Sequence, residues 1–148
     1  MRRILVVEDG NEYSDTLGRF LSHRFVFGRA GSGPEALRMM AEASWDAVFL
    51  DMCFDRVPDE QLLGDRHEVA ERFGGDPVRA RAFLQQHQGT FVLAALRGAG
   101  HAQPVLLSYD FSAEPRRFER LAARQGPLDH LPDPVPGEVE RRLTALLG

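Results

Sequence analysis

The residues best placed to do chemistry are carboxylates at the ends of apolar runs. Ala47-Val48-Phe49-Leu50 is followed directly by Asp51, and Ile4-Leu5-Val6-Val7 directly by Glu8 and Asp9. A third run, Val105-Leu106-Leu107, ends on the hydroxyl of Ser108. Short continuous apolar runs of this kind read as strands buried on both faces, as in a parallel sheet. In an open parallel sheet, chemistry gathers just outside the carboxyl ends of the strands. Glu8, Asp9 and Asp51 are therefore expected to share an acidic pocket. Clustered carboxylates repel, so at least one pKa should rise unless a cation binds. Mg²⁺ suits such a pocket, because it takes one or two carboxylates and keeps several waters. Asp51 is also a candidate phosphoryl acceptor, since Asp carboxylates form aspartyl-phosphates.

The elements that would hold these groups follow from pattern. Arg3–Val7 is the first strand. Asn11–Ser22 is a helix with Tyr13, Leu17, Phe20 and Leu21 on one face. Arg24–Arg29 is the second strand. Ser32 and Glu35 have capping-box spacing ahead of a helix that runs to about Ala43, with Pro34 at an early helical position. Ala47–Asp51 is the third strand. The gap from Asp51 to Ser108 then exceeds one helix and two loops, roughly 25 residues, by roughly 30. Asp59–Phe73 reads as one helix, Pro77–Gln88 as another after the Gly74-Gly75-Asp76-Pro77 break, and Gly89–Leu96 as its continuation or a third. Residues 54–88 are thus expected to form a helical insertion. Regular alternation resumes with a strand at Pro104–Ser108, a helix at Ala113–Gln125, a strand at Pro127–Leu131 and a helix at Gly137–Leu147. Five βα units in a chain of 148 residues imply one α/β domain with a doubly wound parallel sheet.

Composition narrows the function classes. A net charge of -4 leaves no basic footprint for nucleic acid. No apolar run approaches the ~20 residues of a membrane span, and the N-terminal run is too short for a signal peptide. A single cysteine, Cys53, permits no internal disulfide and fits a reducing cytoplasm. All 18 basic residues are arginine, so any mechanism that needs lysine is excluded. Gly28, Gly31 and Gly33 follow the second strand rather than the first, which is the wrong context for a dinucleotide loop. His67-Glu68 begins no zinc motif, because residue 71 is Glu.

The order of these motifs resembles the receiver domain of response regulators over about 1–53 and 89–148. Ile4-Leu5-Val6-Val7-Glu8-Asp9 looks like the acidic pair of that family, Asp51 like its phosphoacceptor, and Ser108 like the hydroxyl that contacts the phosphoryl group. Ala30-Gly31-Ser32-Gly33-Pro34-Glu35-Ala36-Leu37 is similar to its second strand-to-helix turn. The resemblance implies a five-stranded flavodoxin-like sheet of order 2-1-3-4-5. It implies Mg²⁺ held by Glu8, Asp9, Asp51 and the Cys53 carbonyl. A histidine kinase or phosphotransfer protein would be the upstream partner and another protein the downstream one, with no enzymatic turnover by the chain itself.

Several positions depart from the family. Asp133 stands where the family has a lysine before proline, His130 fills the aromatic switch position, and Tyr109 follows the hydroxyl where a small residue is usual. Phe54-Asp55 replaces the usual Met-Pro. The likeness implies a cis Asp133–Pro134 bond, and Tyr109 is expected to crowd the pocket. Arg56 and Arg66 are candidates to reach over the pocket and restore the missing positive charge. Arg116, Arg117, Arg120 and Arg124 form a basic helical stripe suited to solvent or to a docking partner. These departures keep a second reading open, a pseudo-receiver that acts by protein contact without phosphorylation. A third is a Mg²⁺-dependent phosphohydrolase on the same carboxylates.

Overall fold

Strand residues alternate between two faces, and here both faces are apolar. In the computed structural model, which describes residues 1–148, Ile4 and Val6 enter one core while Leu5 and Val7 enter the other. β1 (Arg2–Val7), β2 (Phe25–Ala30), β3 (Ala47–Asp51), β4 (Val105–Ser108) and β5 (Leu128–His130) form one parallel sheet of order β2-β1-β3-β4-β5. The fold class read from the sequence is the one observed.

α1 (Glu12–Leu21) and α7 (Pro136–Leu147) cover one face, burying Leu17, Leu21, Val139 and Leu143 against Ile4, Val6, Phe49 and Leu106. α2 (Gly33–Glu42), α5 (Gln88–Gly98) and α6 (Pro115–Gln125) cover the other, with α3 (Arg66–Arg72) and α4 (Pro77–Gln86). Phe20, expected inward, is 54% exposed beneath the Arg19 guanidinium, because the buried stripe of α1 centres on Leu17 and Leu21. Ser32 caps α2 as its spacing implied, its Oγ accepting the Glu35 N–H at 3.2 Å. No helix is long and apolar enough to cross a membrane.

Residues 54–88 hold helical structure, with one correction. Asp59–Phe73 is not one helix but a 3₁₀ turn at Asp59–Gln61 followed by α3. The break lies at Gly64, whose φ of 109° suits glycine, and Asp65, whose side chain accepts the Glu68 N–H and starts α3 anew. Of the two readings of Gly89–Leu96 the separate helix holds, because the Gly89 N–H goes to the Met52 carbonyl and the Gln85 carbonyl accepts the Phe54 N–H, so the helical bond between Gly89 and Gln85 is not made. The insertion leaves and returns at one place, where Phe54 N–H donates to the Gln85 carbonyl at 2.8 Å. It is not a surface loop. Leu62, Val69, Ala80 and Leu84 are buried in the same core as Leu50 and Leu107. Gln88, wholly buried, pins it. Its Oε1 accepts the Leu63 N–H at 2.7 Å, and its Nε2 donates to the Leu63 and Leu84 carbonyls, each at 3.0 Å.

Near β5, the single cis peptide is Gly126–Pro127, so the expected cis bond at Asp133–Pro134 is corrected. β5 ends at His130, which places Asp133 beyond the sheet in the turn leading to α7.

Candidate functional site at the carboxyl ends of the strands

Parallel pairing sets the site. Asp51 lies opposite Ser108 in the β3–β4 register, and β1, next to β3, delivers Glu8 and Asp9 to the same edge. Asp51 is half-buried. One carboxylate oxygen, Oδ1, accepts the Met52 N–H at 2.9 Å, and Oδ2 takes part in no hydrogen bond within the chain. The pKa of Asp51 is raised to about 6, chiefly by burial, with the charges of Asp9, Glu8 and Glu12 adding to the rise and the Met52 N–H opposing it. Repulsion among the carboxylates, expected from their clustering, is thus present and falls on Asp51.

Glu8 and Asp9 have different duties. Glu8 is 1% exposed, and its two oxygens accept the Tyr13 N–H at 3.1 Å and the Ser14 N–H at 2.6 Å. It satisfies orphan donors in the first turn of α1. Both Glu8 oxygens are thus engaged by backbone amides of α1, each with one N–H. Asp9 keeps one oxygen free, while Oδ2 accepts the Arg56 N–H at 2.7 Å. The Cys53 carbonyl accepts no hydrogen bond from the loops or side chains around it. The Cys53 thiol is exposed, and its pKa is raised by partial desolvation and by Asp55, Asp51 and Asp9.

No group of three or more His, Cys, Asp or Glu side chains gathers at metal-binding distance. The donors with an oxygen that no N–H engages are the Asp9 and Asp51 carboxylates and the Cys53 carbonyl. That set fits Mg²⁺, which needs only one or two carboxylates and completes its shell with water. The unbalanced negative charge on Asp51 is a physical reason for a cation to enter.

Two neighbours of this edge escaped the sequence reading. Tyr13, read only as an inward helix residue, packs edge-on against Phe49 at 5.2 Å between centroids and accepts a hydrogen bond from Ser108 Oγ at 3.3 Å. Burial raises the Tyr13 pKa, with Asp51 and Glu8 adding to the rise. The signal was the residue type, because a buried Tyr needs a partner for its hydroxyl where Phe does not. Gly89, read as an ordinary helical position, donates its N–H to the Met52 carbonyl at 2.9 Å and lets α5 rest on the end of β3. A Cβ there would stand 2.5 Å from the Asp51 carbonyl oxygen.

The departures from the family pattern resolve individually. Tyr109 turns to the aromatic cluster beside α6. Its ring meets Phe111 edge-on, with centroids 4.7 Å apart, beneath the Arg117 guanidinium. His130 is a half-buried packing residue between Phe111 and Phe118, with ring centroids 5.2 and 4.4 Å away. Asp133 is exposed, and only its carbonyl is engaged, accepting the Val135 N–H. Arg66 turns to Asp59. Arg56 reaches the start of α1, where its Nη1 lies 2.7 Å from Glu12 Oε1. His67 is exposed beside Glu71, and His87 Nδ1 lies 3.0 Å from Arg117.

No family model matches the chain, and no curated protein matches it by sequence. Solved structures match it over nearly its whole length. The receiver domain of Francisella response regulator 1452 superposes with a TM-score of 0.65 at 15% identity, covering 99% of this chain and 97% of that one. Vibrio cholerae chemotaxis protein CheY4 gives 0.66 at 16% identity, covering 99% and 98%. Thermotoga maritima response regulator TrrA, solved in complex with Mg(2+)-BeF, gives 0.62 at 17% identity, covering 99% of both chains. With its strand order, its acidic edge and these likenesses, the chain has the fold of response regulator receiver domains.

Proposed function

We propose that the protein is an atypical receiver in two-component signalling, accepting a phosphoryl group on Asp51 from a histidine kinase or phosphotransfer protein and passing the signal by protein contact. The observation that carries this reading is the state of Asp51. It stands at the carboxyl end of the central strand, opposite Ser108, with Oδ2 free of hydrogen bonds and its charge raised in energy by burial and three carboxylates. Oδ2 is the nucleophile, and Ser108 Oγ is the hydroxyl placed to contact the group it acquires. Asp9, Asp51 and the Cys53 carbonyl are the residues that would hold Mg²⁺, and Glu8 would position α1 beside them. Bound there, the metal supplies positive charge against the oxygens of the transferring group.

The test is reaction with a small acyl phosphate and Mg²⁺, read by intact mass, on wild type and Asp51→Asn. A phosphate adduct on wild type that the variant lacks supports the proposal. An adduct on both places the acceptor elsewhere. A folded wild type that gains none from the acyl phosphate or from histidine kinases overturns it.

A second reading, the pseudo-receiver read without phosphorylation, draws on Asp133. The position is exposed and carries a negative charge where the resemblance implies a positive one. Partner binding that is unchanged by Asp51→Asn would select this reading.

A further inference from the structure

The site edge is crowded with negative charge. Asp9, Glu8 and Glu12 all raise the pKa of Asp51, and Asp55 adds to the field at Cys53. A phosphoryl group on Asp51 would replace the single charge of the carboxylate by close to two negative charges. Two arginines reach this edge. Arg29 is committed to the backbone, its Nε donating to the Gly10 carbonyl and its Nη2 to the Glu8 carbonyl. Arg56 is committed differently. Its backbone N–H is tied to Asp9, while its guanidinium rests on Glu12, and both side chains are mostly exposed at 58% and 60%. A Cβ on Gly10 would collide with the Glu12 carboxylate and the Arg56 guanidinium together, so this ion pair crosses directly over the Gly10 backbone. The Arg56 backbone is bound to Asp9, whose charge acts on Asp51, so its guanidinium springs from the same edge as the acceptor.

We propose that Arg56 is a phosphoryl-binding residue held in reserve by Glu12, leaving Glu12 for the phosphoryl oxygens when Asp51 is modified. The inference rests on Asp51 being the acceptor. Exposed ion pairs of this kind contribute about 0–1 kcal/mol, so Glu12 holds the guanidinium weakly. A dianion with three acceptor oxygens suits the guanidinium fork better than a single carboxylate. The Asp9 hydrogen bond anchors the Arg56 backbone, so only the side chain has to turn. In the transfer, Asp51 Oδ2 forms a bond to phosphorus while the bond from phosphorus to the donor's acyl oxygen breaks, and the acyl group departs as its carboxylate. Arg56 supplies charge and makes no covalent bond.

The experiment follows adduct formation from a small acyl phosphate with Mg²⁺, by intact mass over time, with folding verified by circular dichroism. The proteins are wild type, Arg56→Ala, Arg56→Lys, Glu12→Gln and the double variant Arg56→Ala/Glu12→Gln. Removing Arg56 is expected to slow formation by about tenfold or more, with partial recovery in Arg56→Lys. Glu12→Gln breaks the same ion pair from its other side, and a purely structural pair would lose by it. Here it is expected to speed formation, and the gain is expected to vanish in the double variant. A gain that survives without Arg56 means that Glu12 acts on Asp51 directly, and it overturns the inference. So does an Arg56→Ala rate equal to wild type, which leaves Asp51 as acceptor. No adduct on wild type removes the acceptor and this inference with it.

Discussion

At the residue scale, Asp51 carries a consequence for stability. Its folded pKa, about 6, lies above the ordinary carboxylate value, so the folded protein holds this proton more tightly than the unfolded chain. The sign follows directly: the stabilisation from protonated Asp51 is complete at low pH and is lost as pH rises through about 6. Asp51→Asn removes a charge that is costly only when ionised. The variant is expected to exceed wild type by about 1–2 kcal/mol at pH 7.5, discounted for the partly open carboxyl at about 1.4 kcal/mol per pKa unit. The gain is expected to disappear near pH 4, and urea denaturation at the two pH values checks both. The positions of Asp51, Asp9 and Ser108 were legible because each follows an apolar run. The role of Glu8 was not. Nothing in its place beside Asp9 says that its oxygens face the amides of Tyr13 and Ser14. Arg56 was legible as a residue to reach over the pocket, but its pairing with Glu12 was hidden, since the two meet across Gly10 from the segment after β3 and from the start of α1.

At the element scale, the contact between β3 and α5 positions the acceptor. Gly89→Ala would push a methyl against the Asp51 carbonyl oxygen and within 2.9 Å of the Met52 Cα, and backbone cannot swing aside as a side chain can. The variant is expected to lose about 1–3 kcal/mol and to displace the end of β3. Gly98→Ala, at the far end of the same helix with nothing within 4 Å, is expected to gain about 0.5–1 kcal/mol. Thermal or urea denaturation of the pair separates a packing requirement from helix propensity. Element boundaries were legible where a cap or break is written in residue type, as at Ser32 and at Gly74-Gly75-Asp76-Pro77. They were not legible at Gly64-Asp65, where one apolar periodicity runs across two helical segments. The split depends on Leu84 and Phe91 closing around Gly64.

At the scale of the molecule, the sheet divides two cores, yet every strand belongs to both faces or bridges to one that does, so the faces are expected to melt together. Trp45, the only tryptophan, is buried in the core on the α5 face. Its fluorescence and the far-ultraviolet circular dichroism are expected to follow one transition in urea, and two separated midpoints would show independent cores. The sheet order was legible because strand and helix patterns alternate outside the insertion, and the insertion was legible by its length alone. What the sequence could not show is how the insertion is attached. Its two ends meet at the Phe54–Gln85 hydrogen bond, so a gene lacking the intervening codons could be closed with a short turn. Such a trimmed protein would nevertheless be left with an open wound in its interior. Leu62, Val69 and Leu84 would go with the excised segment, each a loss of about 1.5–3 kcal/mol of burial, and the apolar surface they cover would be wetted. A segment that the chain path makes removable is one that the packing makes indispensable.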